Sequence, residues 1–284
     1  MRRRLTPYLL VLPGGLWLLL FFVVPMVTML SLSLQEGDIV SGYVFTGHWQ
    51  TYADVLVNYR VQLVRSLVYG AIATVVLIVA AFPVAYWIAF HGGRRKASYL
   101  FLLLLPFFVS FVLRTISWRY VLTDEGILLG PLKDAGLLPD DFHILGTPTA
   151  VILGLVYNFL PFMVLPIYVA LERIDPRVVE AARDLYAGPV VAFRKVVLPL
   201  ALPGVFAGVL MTFVPASSDY VNSAVLGSSS TAMIGQVIQS QYLTSSNYPA
   251  ASALSFTLMA VLLIGVFAYA RALGTEDVMK VAAR

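Results

Sequence analysis

The chain has 284 residues, of which 60% are hydrophobic and only 12% are charged, and its mean hydropathy is +0.86. Soluble domains carry about twice that charged fraction, so the composition excludes a water-soluble globular protein. The absence of cysteine excludes disulfides, thiolate metal sites and cysteine nucleophiles. A net charge of +4 is too small to indicate a nucleic-acid partner.

Six apolar segments are long enough to cross a bilayer, whose hydrocarbon core of about 30 Å requires about 20 helical residues. None of them alternates in the manner of a barrel strand, so all are predicted to be helices. We predict an all-α polytopic membrane protein with six transmembrane helices in a single transmembrane domain, residues 1–284. The predicted spans are 9–34, 64–90, 98–118, 149–171, 200–222 and 249–271.

Three arginines at 2–4 precede the apolar run of the first span, and a signal peptide starts in the same way. The apolar region of a signal peptide has only about 7 to 15 residues. This run is longer, so we interpret it as a retained first span.

Basic residues concentrate in segments 2–4, 94–96, 173–195 and 271–284. Because cytoplasmic flanks retain Lys and Arg, this distribution predicts that both termini are cytoplasmic. An even number of crossings, six, also places both termini on the same side of the membrane. The expected location is the bacterial plasma (inner) membrane.

The segment 172–199, called the EAA loop below after its Glu-Ala-Ala sequence at 180–182, carries start and stop signals of its own. Asp175 is a favourable N-cap and Pro176 a favourable first helical residue. The Gly-Pro pair at 188–189 ends that helix, and a second short helix is predicted over 190–197, before the fifth span. The pattern therefore predicts a cytoplasmic helix-turn-helix.

Small side chains at Ala181 and Ala182 would let another protein approach the first helix of the EAA loop closely. This favours a docking site for a partner protein. An amphipathic helix lying on lipid headgroups gives the same pattern, and both interpretations stay open at this point.

The acid Asp219 falls at the edge of the fifth span, where acids are costly and usually functional. Pro215 is expected to bend or unwind the helix there and to free backbone carbonyls. A carboxylate beside free carbonyls suits an ammonium group, so an entry-side cation contact is one hypothesis. A structural hydrogen bond, or pairing with a neighbouring subunit, is the alternative.

Tyr157 and Asn158 lie near the middle of the fourth span. Asn158 requires a partner helix or a wet path, and Tyr157 could contact a cation through its ring. Packing is the alternative for both. Gly204 and Gly208, four residues apart on the fifth span, are predicted to permit close helix packing.

The sequence Glu-Ala-Ala-Arg-Asp-Leu at 180–185, followed by Val-Val-Leu-Pro at 196–199, resembles the EAA loop of ABC importer permeases. The resemblance implies that this loop contacts an ATPase subunit. The residues that it assigns to ATPase coupling are Glu180, Ala181, Ala182, Arg183, Asp184 and Gly188.

One position departs from that family pattern, because Tyr186 stands where the family has glycine. Tyrosine pays a steric cost if the chain has positive φ at that position. We therefore expect Gly188 to provide the turn instead, two residues later.

The resemblance extends over the whole chain and is strongest to spermidine/putrescine-type permeases. It rests on the segments 153–157, 160–166, 199–205 and 215–221. The last of these resembles the subgroup's Gly-Asp-Tyr/Phe-Val region. Together with the features described above, it makes Asp219, Tyr220, Tyr157 and Asn158 the candidate residues of the substrate path.

By resemblance, the chain forms half of a translocation path for polyamines and works by alternating access. The implied partners are two ABC ATPase subunits, a second permease subunit that is expected to be a paralogue, and an extracytoplasmic polyamine-binding protein. ATP and Mg would be bound by the ATPase subunits. No cofactor is expected on this chain, which lies in the lipid bilayer.

The sequence contains no phosphate-binding loop, so the chain is not expected to hydrolyse ATP itself. His48, His91 and His143 have no partners at ligand spacing, so no metal site is predicted. Import of another small solute, such as ferric ion or a sulfate/molybdate-type oxyanion, is the alternative function. An ATP-independent channel and an intramembrane enzyme are weaker ones.

Overall fold

The structure is a computed structural model and describes residues 11–184, 186 and 188–272. The start of the first predicted span, at 9 and 10, and both predicted cytoplasmic termini lie outside the described residues.

The described part of the chain is helical apart from one hairpin and the connecting turns. Its elements are α1 (Val11–Ser33), β1 (Gln35–Asp38), β2 (Gly42–Phe45), α2 (Gln50–His91), α3 (Lys96–Leu104), α4 (Phe111–Leu122), α5 (Leu129–Asp134), α6 (Pro148–Glu172), α7 (Pro176–Asp184), α8 (Pro189–Ser217), α9 (Val221–Leu226), α10 (Ile234–Leu243) and α11 (Tyr248–Ala272).

Among the described residues, five helices are long and apolar enough to cross a membrane: α1, α2, α6, α8 and α11. A sixth candidate is the bent pair Gly93–Phe108 and Phe111–Leu122. The prediction of an all-α polytopic membrane protein is confirmed. α2 is longer than the predicted second span at 64–90, because it begins at Gln50.

The chain divides into two compact units, Met1–Val61 with Val237–Val261 and Gln62–Gln236 with Leu262–Arg284. In the first unit, β1 and β2 pair antiparallel, with Gln35 opposite Phe45. Asp38 ends β1, and its carboxylate accepts hydrogen bonds from the backbone N–H groups of Val40 and Ser41. These hydrogen bonds lower the pKa of the Asp38 carboxyl, and the bond from the Ser41 backbone has the largest effect. This hairpin is absent from the sequence prediction.

In the second unit, α6 packs closely against α8. A Cβ atom on Gly204 would lie 2.5 Å from both the Ala170 Cβ and the Pro166 carbonyl oxygen. On Gly208 it would lie 2.6 Å from the Met163 sulfur. The predicted packing role of the two glycines is therefore confirmed, since any side chain at these positions would separate the helices.

The third predicted span, 98–118, is not one continuous helix. A 3₁₀ turn over Leu105–Phe108 follows α3, and Val109 is extended, so that α4 leaves at an angle of 87°. Pro106 explains the break, because it has no N–H group and its ring clashes with the preceding turn.

Two predictions are wrong: that the fifth span covers 200–222, and that a separate short helix at 190–197 precedes it. They form one helix, α8, which ends at Ser217. Pro199 cannot donate a hydrogen bond to the preceding turn, and a π-helical turn over Phe193–Val197 precedes it. Such a turn accommodates the missing donor without ending the helix.

Candidate functional site

Four buried side chains join three helical segments of the second unit, and we call them the polar network: Thr115, Asn158, Asp219 and Asn222. Asn158 on α6 donates from Nδ2 to the Thr115 hydroxyl on α4, at 3.0 Å, and to the Asn222 Oδ1 on α9, at 3.1 Å. Asp219 accepts from the Asn222 backbone N–H, at 2.7 Å, and from its Nδ2, at 3.1 Å. The network thus ties α4, α6 and α9 together.

Gly154 makes room for this network on α6. A Cβ atom there would lie 2.4 Å from the Asn222 Oδ1, so no other residue type leaves that amide in place. Ser223, next to Asn222, donates to the Gln236 Oε1 at 2.7 Å and accepts from the Met233 backbone N–H at 2.9 Å. These bonds anchor α9 to the segment that leads into α10.

The expected unwinding of the helix at Pro215 is not found. α8 continues through Pro215 to Ser217, and the Ser218 hydroxyl donates to the carbonyls of Val214 and Pro215, each at 3.2 Å. Asp219 is only 8% exposed, and its carboxylate accepts hydrogen bonds from Asn222. The geometry agrees with the structural alternative for this carboxylate.

The side chains of Tyr157 and Asn158 lie in different environments, because successive residues of a helix point about 100° apart. Asn158 is buried in the polar network, whereas Tyr157 is half-buried among aromatic rings. The Trp118 ring lies 5.2 Å from the Tyr157 ring, and Phe107 stacks on Tyr157 at 6.1 Å. Tyr220 is 44% exposed and belongs to neither group.

Arg114 on α4 reaches the aromatic rings around Tyr157. Its guanidinium carbon lies 4.1 Å from the Phe107 ring centroid and 5.9 Å from those of Phe111 and Tyr157. We call Phe107, Phe111 and Tyr157 the aromatic cage. The sequence contains Arg114 and both phenylalanines within eight residues, but the helix break between them hides their convergence.

The EAA loop has the predicted helical start. Asp175 accepts a hydrogen bond from the Arg177 backbone N–H at 2.9 Å, and α7 begins at Pro176. The N-cap prediction is therefore confirmed. Val179 packs against the core of the second unit, whereas Val178, the preceding residue, is 46% exposed.

The residues that the resemblance assigns to ATPase coupling lie together on this loop. Glu180, Ala181 and Asp184 are exposed on α7, and Ala182 is half-buried. Arg183 lies in the same helix. Gly188 is exposed just before α8. One turn of helix therefore presents an acid and a small residue outward.

The turn of the EAA loop is formed by Tyr186 and not by Gly188. Tyr186 has φ of +60°, in the left-handed region, and its side chain is 99% exposed. Gly188 has φ of −60° and ψ of 162°, which any residue can adopt. The expected transfer of the turn to Gly188 is wrong: the chain keeps the backbone conformation that suits glycine and accepts the strain of tyrosine there.

The model of the family described as binding-protein-dependent transport system inner membrane component matches residues 62–273. The chain belongs to this family. It is a multi-pass inner-membrane protein and an ABC transporter permease subunit.

Two relatives match this permease over most of its length. The spermidine/putrescine transport system permease protein PotB of Haemophilus influenzae is 36% identical over 257 residues, which cover 90% of each chain. PotB of Escherichia coli is 34% identical over 259 residues, which cover 90% of this chain and 94% of the relative.

A solved structure shares the fold of this permease. A chain of a bacterial ABC transporter involved in the import of alginate has a TM-score of 0.70 at 18% identity, with 97% of this chain and 96% of that chain covered. At this identity the likeness concerns the fold.

Proposed function

We propose that this permease forms half of the translocation path of an ABC importer for polyamines, such as spermidine and putrescine. Two ABC ATPase subunits, a second permease subunit and an extracytoplasmic binding protein complete the assembly. In this assignment both termini and the EAA loop are cytoplasmic. ATP and Mg are bound by the ATPase subunits, and this chain performs no catalysis.

The exposed face of α7 is the observation that carries this proposal. Val179 packs against the core, whereas Glu180 and Ala181 on the same helix are exposed. Exposed Val178 and Tyr186 add apolar area nearby. A charged and apolar surface on a firmly attached helix suits a protein partner, whose movement would be passed directly to the core.

The polyamine cargo is supported by the similarity to the two PotB proteins over 90% of this chain. The aromatic cage also suits a cationic cargo, because aromatic faces attract ammonium groups. We place Tyr157 and Tyr220 on the substrate path on account of their exposure. Asn158 and Asp219 act behind the path by holding its helices in register.

A charge reversal in the EAA loop tests the coupling role. In Glu180→Arg, an acid on the outer face of α7 becomes a base, so the ATPase subunits are expected to dissociate on purification and ATP-driven putrescine uptake to fall by at least ten-fold. The readouts are ATPase co-purification in mild detergent and uptake into proteoliposomes.

Glu125→Arg is the matched control, since Glu125 is also exposed and lies in the segment between α4 and α5. It should retain the ATPase and most of the uptake. If Glu180→Arg co-purifies with the ATPase and transports normally, the coupling role is wrong.

Competition identifies the cargo. Uptake of labelled putrescine should be reduced by excess spermidine and unaffected by sulfate or ferric ion. Competition by ferric ion or sulfate alone would support the alternative importer function. Transport that persists without ATP would instead indicate a channel.

A further inference from the structure

The guanidinium of Arg114 is held by aromatic rings rather than by an acid. Within the part of the chain that the structure describes, none of the ion pairs involves Arg114. Its Nε and Nη1 atoms are buried and have no hydrogen-bond acceptor among those residues. A cation within a predicted span is costly, and here the three rings of the cage offset that cost only in part.

The aromatic cage is partly exposed. Phe107, Phe111, Tyr157 and Arg114 are each half-buried, so the rings are reached from the surface of the subunit. The break at Val109 also lies between Phe107 and Arg114, and no continuous helix fixes their separation. Phe111 lies on α4 with Arg114, so the guanidinium leaves the rings by a change of side-chain rotamer while α4 stays folded.

We propose that the aromatic cage is a binding site for an ammonium group of the cargo, and that Arg114 is its resident competitor. This inference rests on the proposed polyamine cargo. Arg114 occupies the rings when cargo is absent. An arriving ammonium group replaces it, and like-charge repulsion drives the guanidinium out.

The replacement of Arg114 by an ammonium group in the cage has a compensating gain in hydrogen bonding. When Arg114 leaves the cage, its Nε and Nη1 groups can find water or carbonyl acceptors that they lack in the structure. One cation at the rings is replaced by another, so the charge in the cage does not change. A neutral solute or an oxyanion would not compete for the rings, because their faces attract positive charge.

A double-mutant cycle on the assembled importer tests this proposal. Arg114→Gln removes the competitor, and Phe107→Leu removes the nearest ring at similar volume. The KM for labelled putrescine is measured in proteoliposomes that contain the complete importer. Arg114→Gln should lower the KM about five-fold and Phe107→Leu should raise it about five-fold, each equivalent to roughly one cation–π contact.

The double variant decides between exchange and simple charge repulsion. If the ammonium binds at the ring that Arg114 vacates, the gain from Arg114→Gln disappears in the Phe107→Leu background. If Arg114 acts only through its field, the two effects add, and the proposal is overturned.

Conservative and matched variants keep the test independent of folding. Arg114→Lys keeps the positive charge and Phe107→Tyr keeps the aromatic ring, so each should keep the KM closer to the wild-type value than Arg114→Gln or Phe107→Leu does. Arg119→Gln and Phe108→Leu, on exposed neighbours, should leave the KM unchanged. Loss of the second permease subunit in Arg114→Gln but not in Arg114→Lys would overturn the proposal, since Arg114 would then hold an acid of that subunit.

Putrescine uptake by the wild-type importer separates a failure of this inference from a failure of the proposed function on which it rests. If the importer takes up no putrescine in the presence of ATP, the proposed function fails. If it takes up putrescine and the two substitutions are additive, the cage inference alone fails.

Discussion

The polar network and the EAA loop place polar residues in opposite situations. In the network, the side chains of Asn158, Asp219 and Asn222 are buried and hydrogen-bonded to one another. In the EAA loop, Glu180 is exposed and Tyr186 is held in a strained backbone conformation. Buried polar groups specify one packing arrangement, because the alternatives leave donors unpaired. An exposed, strained turn instead marks a surface kept for something other than stability.

The largest effect is expected in the network. Asn222→Leu keeps the approximate volume but leaves the Asn158 amide and the Asp219 carboxylate short of partners, which should lower the free energy of unfolding by about 2–4 kcal/mol. The measurement is thermal unfolding of the detergent-solubilised subunit.

The control for this variant is Asn58→Leu, an exposed asparagine on α2, which should change stability by no more than about 0.5 kcal/mol. Similar losses in the two variants would remove the contrast between buried and exposed polar groups.

An intermediate effect is expected where α6 meets α8. In Gly204→Ala the new methyl group collides with Ala170 and Pro166, and overpacking of this kind costs about 1–3 kcal/mol. Gly265→Ala on α11 is the matched control, since no atom lies within 4 Å of its Cβ position.

Thermal unfolding of the two glycine variants, measured side by side, checks this prediction. Gly265→Ala should be neutral or stabilise the protein by about 0.5–1 kcal/mol. A Gly204→Ala variant as stable as the wild type would show that the helix pair tolerates separation.

The smallest effect is expected at Tyr186. Tyr186→Gly relieves left-handed strain of about 1–2 kcal/mol but gains chain entropy in the unfolded state, so the net stabilisation should not exceed about 1 kcal/mol. Hydrogen exchange of residues 176–198 should slow slightly.

Tyr186→Val makes the comparison sharper, because a β-branched side chain tolerates positive φ poorly and should speed that exchange. Equal exchange in the glycine and valine variants would mean that the turn is not strained in solution.

The sequence predicts the features that depend on local chemistry. Apolar length identifies the membrane helices, Asp175 and Pro176 mark the start of α7, and the spacing of Gly204 and Gly208 predicts their packing. Each of these signals is contained in one continuous segment of the sequence, so it can be read without knowing which other segments pack against it.

Other features depend on contacts that a single segment does not contain. Pro106 breaks one helix, whereas Pro199 and Pro215 leave α8 continuous, and only the surrounding packing separates these outcomes. The bonds of Asn158 to Thr115 and Asn222, and the approach of Arg114 to the Tyr157 ring, form only when α4, α6 and α9 are brought together. The two bonds from Asn222 to Asp219 are local, three residues apart, whereas its bond from Asn158 joins residues 64 positions apart.

The continuity of α8 has a mechanical consequence. Its 29 residues form a rod of about 43 Å, longer than the hydrocarbon core of about 30 Å. The π-helical turn near its start adjusts the hydrogen bonding without cutting the rod in two. If a partner rotates the start of α8 beside the EAA loop, the continuous backbone of the helix connects that movement to Ser217, the residue two before Asp219. Inserting a flexible joint at Pro199 would uncouple the two ends while leaving both in place.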